Sequence, residues 1–170
     1  MDQEGLHQKN DGAASREPAK KRIATHVSSI DTLVGGHPEA LREIYSDSDP
    51  GTVDALGERP RGRLLSLEQT AGFHILIRPL LQIISTTLMP WEGIVFDHGG
   101  NAGANIVLGR EVLRFRAERT ESVLDGQPTL ALTYPKTGWL RAEIRMVSDE
   151  VGLGVTLVRG VPVAWFGLSR

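Results

Sequence analysis

The 170 residues are 40% hydrophobic and 24% charged, an ordinary globular balance that suffices for one domain with a buried core. A formal net charge of -2 excludes a global electrostatic drive toward nucleic acid. The chain has no cysteine, which excludes disulfides, thiolate metal sites and cysteine nucleophiles and fits a reducing compartment such as the cytoplasm.

Residues 1 to 24 are polar and poor in aliphatic side chains, so they read as a disordered tail ahead of a single domain spanning residues 25–170. The run Lys20, Lys21, Arg22 reads as part of a solvated tail, and no secretory h-region is present. Thr25 to Tyr45 is helical in two pieces. Ile30, Leu33 and Val34 form one stripe, Gly35-Gly36 breaks it, and Pro38 opens a second piece with Ala40, Leu41, Ile44 and Tyr45. Ser46 to Pro60 reads as a loop, dense in Asp, Gly and Pro.

Gly62 to Leu67 is a first strand. Thr70 then caps a helix over about Ala71 to Leu88, with Phe73, Leu76, Ile77, Leu80, Leu81, Ile84 and Leu88 on one stripe and a kink at Pro79. His74, Arg78 and Gln82 interrupt that apolar stretch, so no membrane span is expected from it. The rest reads as strands: Glu92–Asp97, Ala104–Leu108, Glu111–Val123, Thr129–Tyr134, Leu140–Val147, Gly152–Val158 and Pro162–Leu168. Turn signals stand at His98-Gly99-Gly100-Asn101, Asp125-Gly126, Ser148-Asp149-Glu150 and Arg159-Gly160. Close spacing without βαβ crossovers predicts a mainly β fold, an antiparallel barrel with an N-terminal helix and a kinked helix capping one end.

Three groups of residues carry that expectation further: Leu41-Arg42-Glu43-Ile44-Tyr45 before Pro60-Arg61-Gly62-Arg63-Leu64, then Trp91 to Asp97, then Leu140-Arg141-Ala142-Glu143-Ile144-Arg145 before Gly152-Leu153-Gly154. Over about residues 38 to 168 this order resembles the small bacterial lipocalin-like (calycin-type) β-barrel proteins. The resemblance implies a barrel with an internal cavity and no particular reaction.

Arg141, Glu143 and Arg145 share one strand face, opposite Leu140, Ala142, Ile144 and Met146. Either that face is solvent and the three are a charged stripe, or it is the barrel interior or rim and they must pair with each other or with a ligand. Arg114, Arg116 and Glu118 form a second stripe, read as an exposed face or as arginines converging with the first set on an anion. His98 reads as a turn residue. His74 is a helix-surface residue or a proton shuttle. The five histidines are scattered without metal-ligand spacing, and no nucleotide or nucleophile-elbow motif occurs, so neither metal nor cofactor is expected.

The expected function is binding of an apolar small molecule in the barrel. Tyr134, Arg141, Glu143 and Arg145 are its polar anchors, Arg114, Arg116 and Trp139 are further contacts, and Phe73, Leu76, Leu80 and Ile84 form a lid. The alternative is a cofactor-independent cyclase, isomerase or hydrolase of a hydrophobic secondary-metabolism intermediate, with Glu143, Tyr134 and His74 as acid–base candidates. A protein–protein or membrane-surface module is a third reading.

Overall fold

The computed structural model describes residues 27, 29–68 and 91–170. The tail expected at residues 1–24 and the helix expected at residues 71–88 lie outside them.

The chain enters through a 3-10 turn at Ile30–Leu33, capped by the Ser29 hydroxyl, which accepts the Asp31 N–H. Helix α1 (Pro38–Asp47) starts on a proline, whose missing N–H costs nothing at that position. Its Leu41 and Tyr45, four residues apart, form the buried stripe. The segment expected to be all loop holds two short elements. β1 (Asp49–Pro50) pairs with the far end of β7, and α2 (Val53–Leu56) is capped by the Thr52 hydroxyl. α2 is a single turn, too short to leave a periodic signature in sequence.

Eight strands follow: β2 (Arg61–Leu67), β3 (Trp91–Phe96), β4 (Ala102–Val107), β5 (Arg110–Glu121), β6 (Pro128–Thr133), β7 (Leu140–Met146), β8 (Val151–Val158) and β9 (Val161–Ser169). Each pairs antiparallel with the next, and β9 returns to β2, closing an up-and-down barrel without a free edge. Mainly β and a closed antiparallel barrel, as the strand spacing predicts, the fold has few helices among the described residues. Two connections, Leu108-Gly109 and Arg159-Gly160, are two-residue turns with positive φ at both positions, matching the twist of their flanking strands. Asp125-Gly126 is not such a turn. It sits inside a six-residue loop, 122–127, that folds back over the outer wall.

The inner wall is apolar, built from Ile94, Phe96, Phe115, Leu132, Ile144 and Phe166 among others. Leu56 of α2 plugs one end and reaches β8 beside Gly152. At the other end, where Tyr134, Leu140 and Val158 sit, no described helix covers the barrel. A second core lies outside the barrel, where the 3-10 turn and α1 cover the outward side chains of β2, β8 and β9, including Leu65, Leu153, Val155 and Trp165. β8 is therefore buried on both faces, with its branched side chains outward and its glycines inward. A Cβ on Gly154 would sit 2.2 Å from the Phe166 ring, so this glycine is the space in which that ring lies.

Candidate functional site

Two polar clusters are buried in the described structure, one inside the barrel and one outside it. The inner one centres on Tyr134, just past the end of β6. Its ring stacks edge-on against Phe115, centroids 6.0 Å apart, and Phe115 meets Phe96 the same way at 5.7 Å. The Tyr134 hydroxyl accepts the Asn105 Nδ2–H at 3.2 Å. The second Asn105 amide hydrogen goes to the Leu113 carbonyl at 3.2 Å, and Asn105 Oδ1 accepts the Trp91 indole N–H at 3.1 Å. A register shift between Gly103 and Asn105, with Leu113 opposite it at φ 48°, accompanies this arrangement. Tyr134 is 8% exposed, and burial pushes its hydroxyl pKa up against the opposing Asn105 bond. The group is thus held protonated, as a donor. Among the described residues no acceptor takes its proton.

The outer cluster holds Arg141, Glu143 and Arg145. Ala142, Ile144 and Met146 are the inward residues of β7 and fill the inner core, so strand alternation turns the three charged side chains outward. They do not line the barrel interior, and they do not stand in solvent either: Glu143 is 0% and Arg145 1% exposed. The loop 122–127 and helix α1 cover them. Glu143 Oε1 accepts from Arg141 Nε at 2.7 Å and from the Val123 N–H at 3.0 Å. Its Oε2 accepts from the Ser122 hydroxyl at 2.5 Å and, more distantly, from Tyr45 at 3.4 Å. Arg145 uses all five of its N–H groups. Nε donates to the Pro128 carbonyl, one terminal nitrogen to Tyr45 O and Asp125 Oδ2, and the other to Asp125 Oδ1 and Gln127 O, at 2.6 to 3.1 Å. Its guanidinium also lies over the Tyr45 ring, 4.4 Å from the centroid.

Burial pushes the Tyr45 hydroxyl up to about 12, so it stays protonated; its nearest partner is the Thr129 hydroxyl at 2.8 Å, and either oxygen of that pair can donate. Burial also raises Asp125, but the hydrogen bonds and charge of Arg145 and the Gln127 N–H outweigh it and hold this carboxyl below its ordinary range. Every donor of Arg145 is engaged and Glu143 accepts four bonds, so the cluster has little left to offer a ligand. Chemically it is a latch that ties the loop and α1 to the barrel wall.

The other expected site residues are dispersed. Arg116 stands opposite Thr133, and Thr133 opposite Arg141, on the outer wall. Arg116 is exposed there, while Arg141 turns to Glu143 and to the Glu121 carbonyl. Arg114 is exposed and pairs with Glu111 at 3.0 Å. The two arginine stripes do not converge inside the barrel. Trp139 lies in the β6–β7 turn, 37% exposed. His98 is in the β3–β4 turn, 4.0 Å from Glu58. His74, Phe73, Leu76, Leu80 and Ile84 lie outside the described residues. Asn105, Ser122 and Asp125 carry the two clusters without having been singled out as site residues; the signal for Asn105 is a lone amide in an otherwise apolar strand.

No family model matches the chain, and no curated protein does. A solved structure does match: the chain is similar to the crystal structure of a protein from Thermomonospora curvata. The match has 19% identity and a TM-score of 0.56, over 83% of this chain and 92% of that one. At that identity the likeness concerns the fold alone. Within the fold, the only ionisable side chain buried against the inner wall among the described residues is Tyr134.

Proposed function

We propose that the barrel binds an apolar small molecule inside its wall, as a lipocalin-like carrier does, with the ligand's polar group at Tyr134. The observation that carries this reading is the Tyr134 hydroxyl, a buried donor in an aromatic setting whose proton no acceptor takes among the described residues. The hydroxyl already accepts from Asn105, and a ligand acceptor would add the second hydrogen bond, worth about 0.5–1.5 kcal/mol net. Trp91 and Asn105 spend their donors on each other, on Leu113 and on Tyr134, so one hydrogen bond is on offer, and among the described residues no cation bonds to it. That suits a neutral acceptor such as a ketone, ester or ether oxygen better than a carboxylate. An eight-stranded barrel has room for one small ligand at most.

The test is a matched pair of apolar probes, one with a carbonyl and one without, titrated against the wild type and Tyr134→Phe. The variant should lose roughly three- to tenfold in affinity for the carbonyl probe, the worth of one net hydrogen bond, and little for the hydrocarbon. An equal loss for both probes, or no saturable binding by the wild type, refutes the proposal. The same hydroxyl would also polarise a bound carbonyl, which supports a cofactor-independent isomerase or hydrolase as a second reading. Turnover of the carbonyl probe would decide for it.

A further inference from the structure

We propose that the rim of the barrel at the Tyr134 end docks onto an anionic lipid surface. β2, β4, β6 and β8 all run toward this end, so Leu67, the Leu108-Gly109 turn, the turn before Trp139 and the Arg159-Gly160 turn meet there. The Arg159 N–H donates to the Trp139 carbonyl at 2.8 Å, joining two of these tips.

Leu108 is the residue that asks for an explanation. It occupies the first central position of a two-residue turn at φ 49°, where asparagine, aspartate or glycine is the natural choice. It is also 73% exposed, the most exposed large hydrophobic residue among those described. A branched side chain in the left-handed region is strained, and an exposed leucine buries nothing. The turn would be better served by a polar residue, so the fold gains nothing from leucine here, and such a local conflict points to function. Trp139 and Leu67 stand partly exposed on neighbouring tips at 37% and 40%. Together they give this end protruding apolar residues rather than a filled pocket.

The charges at the same tips select the partner. Arg110, Lys136 and Arg159 are exposed beside Leu108, Trp139 and Gly160. Among the described residues none of these three forms an ion pair. The nearby carboxylates are engaged: Glu92 accepts the Gly109 N–H and Glu111 pairs with Arg114. At the opposite end the turns carry Asp97, Asp149 and Glu150. The Tyr134 rim therefore sets exposed cations beside its apolar tips. Leucine and tryptophan tips among unpaired cations match the interface of a negatively charged bilayer, where apolar tips insert and cations meet headgroups. No described helix is long and apolar enough to cross a membrane.

The test is flotation of the full chain with phosphatidylcholine vesicles with and without phosphatidylserine. Binding should require phosphatidylserine and weaken with salt. Leu108→Asn suits the turn, so its thermal midpoint should not fall, while vesicle partitioning should drop by roughly tenfold or more. Lys136→Gln should cost about fivefold, the worth of one cation near such a surface. If Leu108→Asn lowers the midpoint, Lys136→Gln decides alone. Absence of flotation overturns the proposal, as does flotation indifferent to both substitutions. A concentration-dependent dimer abolished by Leu108→Asn, without flotation, also overturns it and makes the rim a self-association surface.

Discussion

Replacing Glu143 by glutamine separates a latch from a ligand site. The carboxylate is fully buried and receives only donors: Arg141 and the Val123 N–H on one oxygen, Ser122 and Tyr45 on the other. Glutamine keeps the shape but offers one oxygen and one N–H₂ group. The oxygen must face Arg141 and Val123, because their N–H groups cannot become acceptors. The amide nitrogen then faces two hydroxyls, which can rotate, and Tyr45 retains Thr129 at 2.8 Å. The cost is mainly the charge assistance on three short bonds. Bonds to charged groups contribute about 1.5–3 kcal/mol against about 1 for neutral ones, and Arg141, 26% exposed, partly rehydrates. A destabilisation of about 2–3 kcal/mol follows. Urea unfolding at constant slope reads it, and apolar-probe affinity should stay at the wild-type value. A change within about 0.5 kcal/mol would mean the four contacts do not hold the loop. Loss of probe binding at full stability would restore Glu143 to the ligand site.

Arg145→Lys should cost about 3 kcal/mol in the same unfolding assay, because an ammonium supplies three donors where five are used and cannot grip Asp125 with two nitrogens. An unchanged midpoint would refute the clamp. Asp125 has a folded pKa below its ordinary 3.8, so its contribution is complete above that value and fades as the pH falls through the folded pKa. Asp125→Asn should therefore be less stable than the wild type at neutral pH and converge with it in acid; a gap that persists unchanged at acid pH would contradict this. Gly154→Ala places a methyl 2.2 Å from the Phe166 ring and should destabilise by about 1–3 kcal/mol, with Phe166→Leu in the same chain recovering part of the loss.

Alternation and turn chemistry made the barrel legible, because each strand has to present one face to a core and each connection has to reverse the chain. The seven runs read as strands from Glu92 onward all correspond to β3–β9, with ends shifted by a residue or two. What stayed hidden is local or long-range. α2 is one turn long, and the loop 122–127 looks in sequence like a short hairpin because Asp125-Gly126 is a good turn dipeptide in isolation. Its true length is set by Asp125, whose carboxylate is drawn across the barrel wall to Arg145, twenty residues away.

The charged stripe on β7 shows why period-two reasoning stops short of a site. Alternation establishes that Arg141, Glu143 and Arg145 share a face, and the choice then looks like interior against solvent. A barrel strand has a third option, an outer face buried by another part of the same chain, and only contacts distant in sequence reveal it. β8 carries the hint. Its outward residues are Val151, Leu153, Val155 and Leu157 and its inward ones include Gly152 and Gly154, so the larger apolar surface faces away from the barrel and has to be covered. Once α1 and the loop provide that cover, a charge beside it must be fully paired, since an unpaired buried ion is far costlier than an exposed one. The saturation of Glu143 and Arg145 follows from their burial. The inner cluster obeys the opposite logic: Tyr134 is buried and, among the described residues, no acceptor takes its hydroxyl proton, which is why the proposed ligand is assigned to it rather than to the charges.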